Sequence, residues 1–343
     1  MKKLFLICAV LVMALSANAQ TNQYFWYNGN LLMGNAITQI DSVTFGNGES
    51  TDTLHILLPR TIIKEVRDTV TITVHDTIYI NKCVPKGAVD GAFSVSANKQ
   101  VLFSKGNLQY QASTGTWRFA ENQYDMIGYG NTYVSSTYTG WIDFFCWGTS
   151  GYNNKYPYMT DNTSTSSVEY GNGDNDIAGT NYDWGVYNAI SNGGNSTNMW
   201  RTLTKSEWDY LLKGRANASG LYSVGNVNGI SGLILLPDGW TPTDSIVFVS
   251  KADAGTLDYS LNVYTEIEWG KLEKLGAIFL PAGGSRTPSL NYNRIGEHGE
   301  YWSSSYSSTK YAYFMRFSSS SATAGNSGSR DNGKCVRLVQ DVE

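Results

Sequence analysis

Three helix-start signals stand far apart in this chain, and short alternating segments broken by glycine, asparagine and serine fill the space around them. Asp183 precedes Trp184, Tyr187 and Ile190 at helical spacing, and Asn192-Gly193-Gly194 closes the pattern. Thr204-Lys205-Ser206-Glu207 reads as a capping box, with Trp208, Leu211 and Leu212 on one stripe and Gly214 as the stop. Thr265 and Glu268 repeat the box, with Trp269, Leu272 and Leu275 expected to face inward. Strand-like pieces such as Phe93-Ser94-Val95-Ser96 and Gln100-Val101-Leu102-Phe103-Ser104 precede them. Strands and helices never alternate regularly, so the pattern predicts an α+β domain with long loops, spanning residues 87–343. Loops on a rigid scaffold are where binding residues gather.

The front of the chain reads differently. Met1-Lys2-Lys3, an apolar run from Leu4 to Leu15, and Ser16-Ala17-Asn18-Ala19 make a signal peptide over residues 1–19, cleaved after Ala19. The apolar run is too short to span a bilayer, which needs about 20 residues. Acylation at Cys8 is the alternative, but Phe5-Leu6-Ile7 stand where small residues are required. No other segment is apolar for long enough to cross a membrane, so the expected product is exported to the periplasm, the outer surface or the medium.

Residues 20–50 hold one expected strand, Ile40-Asp41-Ser42-Val43-Thr44-Phe45, ended by Gly46-Asn47-Gly48. Residues 51–86 repeat Asp-Thr-aliphatic units with strict alternation, as in Val70-Thr71-Ile72-Thr73-Val74, and read as a β-prone stalk. A lone ribbon is marginal in water. The stalk therefore either lies on the following domain or associates with copies of itself. Val84-Pro85-Lys86-Gly87 marks its end.

Lys2 and Lys3 account for two of the 25 basic residues, leaving 23 against 29 acidic ones after cleavage. That balance speaks against nucleic acid, whose phosphates need clustered Lys and Arg. Three cysteines remain, Cys83, Cys146 and Cys335, and an exported chain permits one disulfide. Cys146 with Cys335 is the preferred pair, and reduced core residues are the alternative. No Cys/His spacing suggests a metal site, His55, His75 and His298 lie far apart, and no cofactor is expected. The 23 Tyr, 10 Trp and 35 Gly suit either a recognition surface or an aromatic-packed, loop-rich fold.

Five phrases carry a resemblance. They are Trp200-Arg201-Thr202-Leu203-Thr204 leading to Glu207-Trp208, Leu236-Pro237-Asp238-Gly239-Trp240, Leu280-Pro281-Ala282-Gly283-Gly284-Ser285-Arg286, Gly299-Glu300-Tyr301-Trp302-Ser303-Ser304-Ser305, and Arg330 through Val336-Arg337-Leu338-Val339. In this order they resemble the major paralogous domain of fibrobacters and gut anaerobes, which is similar to the formylglycine-generating-enzyme and C-type-lectin-like folds. The resemblance implies a C-type-lectin-like head. Formylglycine-generating enzymes need a pair of reactive cysteines near the C-terminus, where this chain has Cys335 alone. The Ca²⁺-holding tripeptides of sugar-binding C-type lectins are also missing, and Asp174-Asn175-Asp176 reads as a solvated turn rather than an ion site. The fold hosts enzymes and binders alike, so no enzyme is expected and function must come from the site.

The expectation is an adhesin-like binding protein that recognises a glycan or a protein. Its alternatives are a retroelement-diversified receptor-binding protein, a fimbrial or envelope subunit, and a non-canonical enzyme of the formylglycine-generating type. The candidate contact residues are Arg286, Asn291, Tyr292, Asn293 and Arg294, with Ser304, Tyr306, Ser308, Asn326 and Arg330 from the Tyr/Ser/Asn-rich C-terminal patch. Trp208 and Trp302 are expected in the core. In Tyr311–Phe317, strand alternation must turn one face inward, which leaves Tyr311 and Tyr313 as candidates for either side. Ser42, Thr53, Thr69 and Thr77 sit in Asp-(Ser/Thr)-aliphatic triplets that resemble the O-glycosylation acceptor of exported proteins from the same bacterial group; Ser245 sits in a fifth.

Overall fold

The computed structural model describes residues 84–161, 166–243 and 246–342, together with four strands before them. The chain divides into two compact units, Met1–Cys83 and Val84–Glu343. In the first, Gln23–Tyr27 pairs antiparallel with Asn30–Asn35, and Val43–Gly46 with Thr51–Leu54. The expected division at residue 50 therefore falls between two paired strands. Gly46-Asn47-Gly48 separates two alternating segments, the pattern that joins a hairpin. Thr53 belongs to the second of those strands. Residues 1–19, Ser42, Thr69, Thr77, Cys83, Ser245 and most of the expected stalk lie outside the described residues.

The second unit is α+β, built from small sheets. Ala88–Ser96 alternates inward Val89, Gly91, Phe93 and Val95 with polar or half-buried neighbours, and pairs with Lys99–Ser104. The final strand, Leu338–Asp341, returns to the other side of Lys99–Ser104 and also takes Arg201–Thr202. A second sheet orders Val263–Tyr264, Tyr222–Val227, Ile230–Leu235 and Ile278–Pro281. Its hairpin turns at Asn228-Gly229, where both φ values are positive, 51° and 83°, as an Asn-Gly turn requires. A three-stranded meander, Gly299–Ser308, Tyr311–Phe317 and Ala322–Ser329, follows. A short sheet places Ser285–Arg286 between Tyr292–Asn293 and Gly333–Lys334.

The capping boxes at Thr204 and Thr265 form with both reciprocal hydrogen bonds and start the helices Lys205–Asp209 and Glu266–Lys274. A π-turn, Tyr210–Gly214, continues the first helix and brings Leu211 and Leu212 into the core. Trp269 and Leu272 are buried as expected, whereas Leu275 lies beyond the helix and is exposed. The helix capped by Asp183 stops after one turn, Trp184–Tyr187, where Asn188 turns to extended backbone (φ −106°, ψ 143°) and donates both its N–H and its side-chain amide to the Trp184 carbonyl. Ser250 forms a further capping box, ahead of Lys251–Ala254.

Among the described residues six tryptophans, including Trp208 and Trp302, are fully buried, so the aromatic richness serves packing first. Both faces of Tyr311–Phe317 carry core residues, Ala312 and Phe314 on one and Met315 and Phe317 on the other. A register shift against Ala322–Ser329 between Phe314 and Arg316 accompanies this. Tyr311 is exposed at the strand's end and Tyr313 half-buried. Among the described residues no helix is long and apolar enough to cross a membrane.

Candidate functional site

Four arginines in the second unit are almost wholly buried, and a buried cation needs acceptors around it. Arg215 has Asp238 and the carbonyls of Leu211, Leu221 and Leu236. Arg337 donates to Gln123 at 2.7 Å and Asn107 at 3.4 Å, and burial lowers its pKa to about 10 against the opposing pull of Tyr301 and Glu273. Arg330 donates to the carbonyls of Tyr170, Gly173 and Ser308 at 2.8–3.0 Å. Arg286 differs. Its one hydrogen-bond acceptor among the described residues is the Met159 thioether, at 3.2 Å; its Nε has none, as is true of Arg330 and Arg337 too. A thioether is a weak acceptor, so this guanidinium keeps unused donor capacity.

The strand Ser285–Arg286 holds Arg286 between Tyr292 and Gly333 in register. The chain that leaves it, residues 287–294, is closed on itself by Thr287 N–H to the Asn291 carbonyl and Asn291 N–H to Thr287 Oγ1. Leu290 and Arg294 take left-handed φ values of 56° and 55°, which non-glycine residues keep only where surrounding bonds enforce them. Two tyrosine hydroxyls supply such bonds. Tyr133 donates to the Pro288 carbonyl at 2.6 Å, and Tyr292 donates to the Asn131 carbonyl at 3.2 Å. Asn131 is itself buried and locked: it donates to Gly128 and Asp143 and accepts from the Asp143 and Phe144 N–H groups and the Tyr292 hydroxyl. Tyr129 stands 66% exposed with its ring edge-on to Tyr292, centroids 5.1 Å apart.

The structure thus brings Arg286, Asn291, Tyr292, Asn293 and Arg294 into one cluster. Asn291, Asn293 and Arg294 are exposed, Tyr292 is half-buried, and Arg286 forms the base. The facing loop with Tyr129, Asn131 and Tyr133 escaped the sequence reading; its trace is the glycine- and tyrosine-rich run Gly128-Tyr129-Gly130.

The C-terminal patch does not assemble as a surface. Ser304 is fully buried and its N–H donates to the Leu203 carbonyl, while Ser305 Oγ accepts from the Lys205 N–H at the start of a helix. Ser303 Oγ bonds the Tyr313 carbonyl. These serines stitch the strand to its neighbours instead of meeting solvent. Arg330 is equally internal, stacked on Trp147 and Tyr306. Tyr306, Ser308 and Asn326 are half-buried; Tyr306 spends its ring on Arg330, and the Asn326 amide bonds the Thr323 carbonyl. Asp176 accepts from the Tyr306 N–H at 2.7 Å, so the Asp174-Asn175-Asp176 turn is docked on this hairpin.

Cys146 and Cys335 do not pair: both are free, buried thiols. The Cys146 thiol donates to the Asp331 carbonyl, and burial pushes its pKa up to about 11 despite the nearby Arg286 charge. Burial also raises the Cys335 thiol well above its ordinary value. Lys334, almost wholly buried, is spent on Glu300 and lies 4.1 Å from the Phe314 ring centroid. Among the described residues no cluster of His, Cys, Asp and Glu could hold a metal ion.

Compared with family models, curated proteins and solved structures, the chain matches none.

Proposed function

We propose that this chain is an exported or surface-displayed binding protein whose head, of the C-type-lectin-like kind that its five phrases resemble, recognises a glycan or a protein. The contact is made by Asn291, Asn293 and Arg294 with the facing Tyr129. One observation carries this: the 287–294 loop is held in a strained, hydrogen-bonded conformation that presents polar side chains to solvent above an under-satisfied Arg286. A loop ordered in advance loses little entropy on binding. The cysteines support contact over catalysis, since a formylglycine-type mechanism draws on reactive thiolates and burial keeps Cys146 and Cys335 protonated.

The test is a glycan array and a pull-down from surface extracts with the full chain, beside the Asn291→Ala/Asn293→Ala/Arg294→Ala variant. A ligand held by the wild type and released by the triple variant is expected. A ligand that both hold equally well removes this loop from the contact, and a measured turnover with no retained ligand removes the binding reading itself.

A further inference from the structure

We propose that the tyrosine-lined turn at residues 151–156 is a platform for a neutral carbohydrate. The proposal rests on the binding reading above and places a sugar contact on a second set of side chains, none of which belongs to the Arg286 cluster.

The turn is rigid for identifiable reasons. Gly151, Asn153 and Asn154 have φ values of 94°, 51° and 59°, three left-handed residues within four positions. The Gly151 N–H reaches the Lys155 carbonyl at 2.9 Å, and the Lys155 N–H reaches the Tyr152 carbonyl at 3.1 Å. Ser150 ties the base down, donating through its hydroxyl to the Asn181 carbonyl at 2.6 Å and accepting from the Asn188 amide at its own carbonyl. Left-handed asparagines carry a conformational cost, and such strain gathers at ligand clamps.

What the turn presents is aromatic and uncharged. The Tyr152 ring meets Tyr182 and Tyr187 edge-on, with centroids 5.1 and 5.4 Å apart, and the Asn153 amide donates to the Tyr182 hydroxyl. Tyr187 is 40% exposed, and Tyr156, at the far end of the turn, is 56% exposed. Tyr156 packs on Tyr158, which stacks on Tyr110. Ring faces fit the C–H faces of a pyranose, while phenol hydroxyls and carboxamides exchange hydrogen bonds with its hydroxyls. In segments 150–158 and 181–188 the ionisable groups other than tyrosine are Asp183, which is buried, and Lys155, which is half-buried. The exposed aliphatic side chains Val168, Val247, Val263, Ile267 and Leu275 lie in other segments. An apolar docking patch would show such groups here; a sugar platform shows tyrosine and asparagine.

Isothermal calorimetry of the full chain against cellohexaose, mannohexaose and xylohexaose, with hexagalacturonate as the charged comparison, tests this. At least one neutral hexamer is expected to bind, on the order of tenfold more weakly to Tyr152→Ala/Tyr187→Ala. Affinity is expected to survive in Tyr152→Phe, which keeps the ring, and in Ile267→Ala, which alters an exposed side chain outside both clusters. A melting curve of each variant monitors folding, and Tyr187→Ala alone, which alters an exposed side chain, substitutes for the double variant if that fails to fold. Binding of no neutral hexamer, binding of hexagalacturonate alone, or unchanged affinity in the Tyr152/Tyr187 variants overturns the platform. A ligand released by the Asn291/Asn293/Arg294 variant but not by the tyrosine changes also overturns it, while leaving the proposed function standing.

Discussion

The Arg330 guanidinium lies 4.8 Å from the ring centroid of Trp147, and its bonds to the Tyr170 and Gly173 carbonyls hold residues 170–173 against the C-terminal hairpin. The same fork reaches Ser308 from the opposite side of the junction. Arg330→Ala leaves three carbonyls without their donor and opens space beside two aromatic rings. A loss of about 3 kcal/mol is expected in urea unfolding, with proteolytic cleavage appearing first near residues 170–177. Arg330→Lys, which cannot fork, is expected to recover less than half of it. An unchanged midpoint in both variants would return Arg330 to the surface.

Two buried carboxyls make the second unit sensitive to pH. Burial pushes Asp143 up to about 6, against the opposing hydrogen bonds from Ile127 and Asn131, and it does the same to Asp183 against bonds from Thr202 and Gly185. The folded chain therefore binds these protons more tightly than the unfolded one. The stabilising contribution of each is complete below about pH 4 and disappears as pH rises through about 6, a difference of roughly 3 kcal/mol. Urea midpoints of wild type and Asp143→Asn at pH 4.5 and pH 7.5 check it. The gap between the two proteins is expected to shift in favour of the wild type at the lower pH.

Neither described thiol should react while the protein is folded. Cys146 and Cys335 are buried and their ionisation is suppressed. Treatment with iodoacetamide is expected to leave both unmodified in native buffer and to alkylate both in 6 M guanidinium without reductant. Peptide mapping distinguishes them from Cys83. Failure to alkylate in guanidinium until a reductant is added would mean that they are disulfide-bonded.

The Asp-(Ser/Thr)-aliphatic triplets give a prediction for the leading segment. Chain purified from its natural host is expected to be heavier than residues 20–343 made in a cytoplasm without glycosyltransferases. Replacing Ser42, Thr53, Thr69 and Thr77 by alanine is expected to remove most of that excess, read by intact mass.

Local signals were legible and tertiary ones were not. The boxes at Thr204 and Thr265 involve four consecutive residues, and both formed as written. The box at Ser250 escaped because aspartate stands at its third position and no apolar stripe follows. Asp183 did cap a helix, but its length depended on the extended backbone that Asn188 adopts after one turn. Ser304 and Arg330 look like surface residues in a polar run; burial came from the strands and loops packed around them, which composition does not encode. The Arg286–Arg294 cluster was visible as a polar-aromatic stretch, yet the Tyr129 and Tyr133 side chains that brace it arrive from more than 150 residues earlier.

The seam between Lys99–Ser104 and Leu338–Asp341 has an evolutionary corollary. A body zipped shut by an early strand and a late one leaves the intervening bends free to lengthen, shorten or mutate without unfastening the whole. Lineages carrying such a body could therefore retune what they grip while keeping one unchanging buckle.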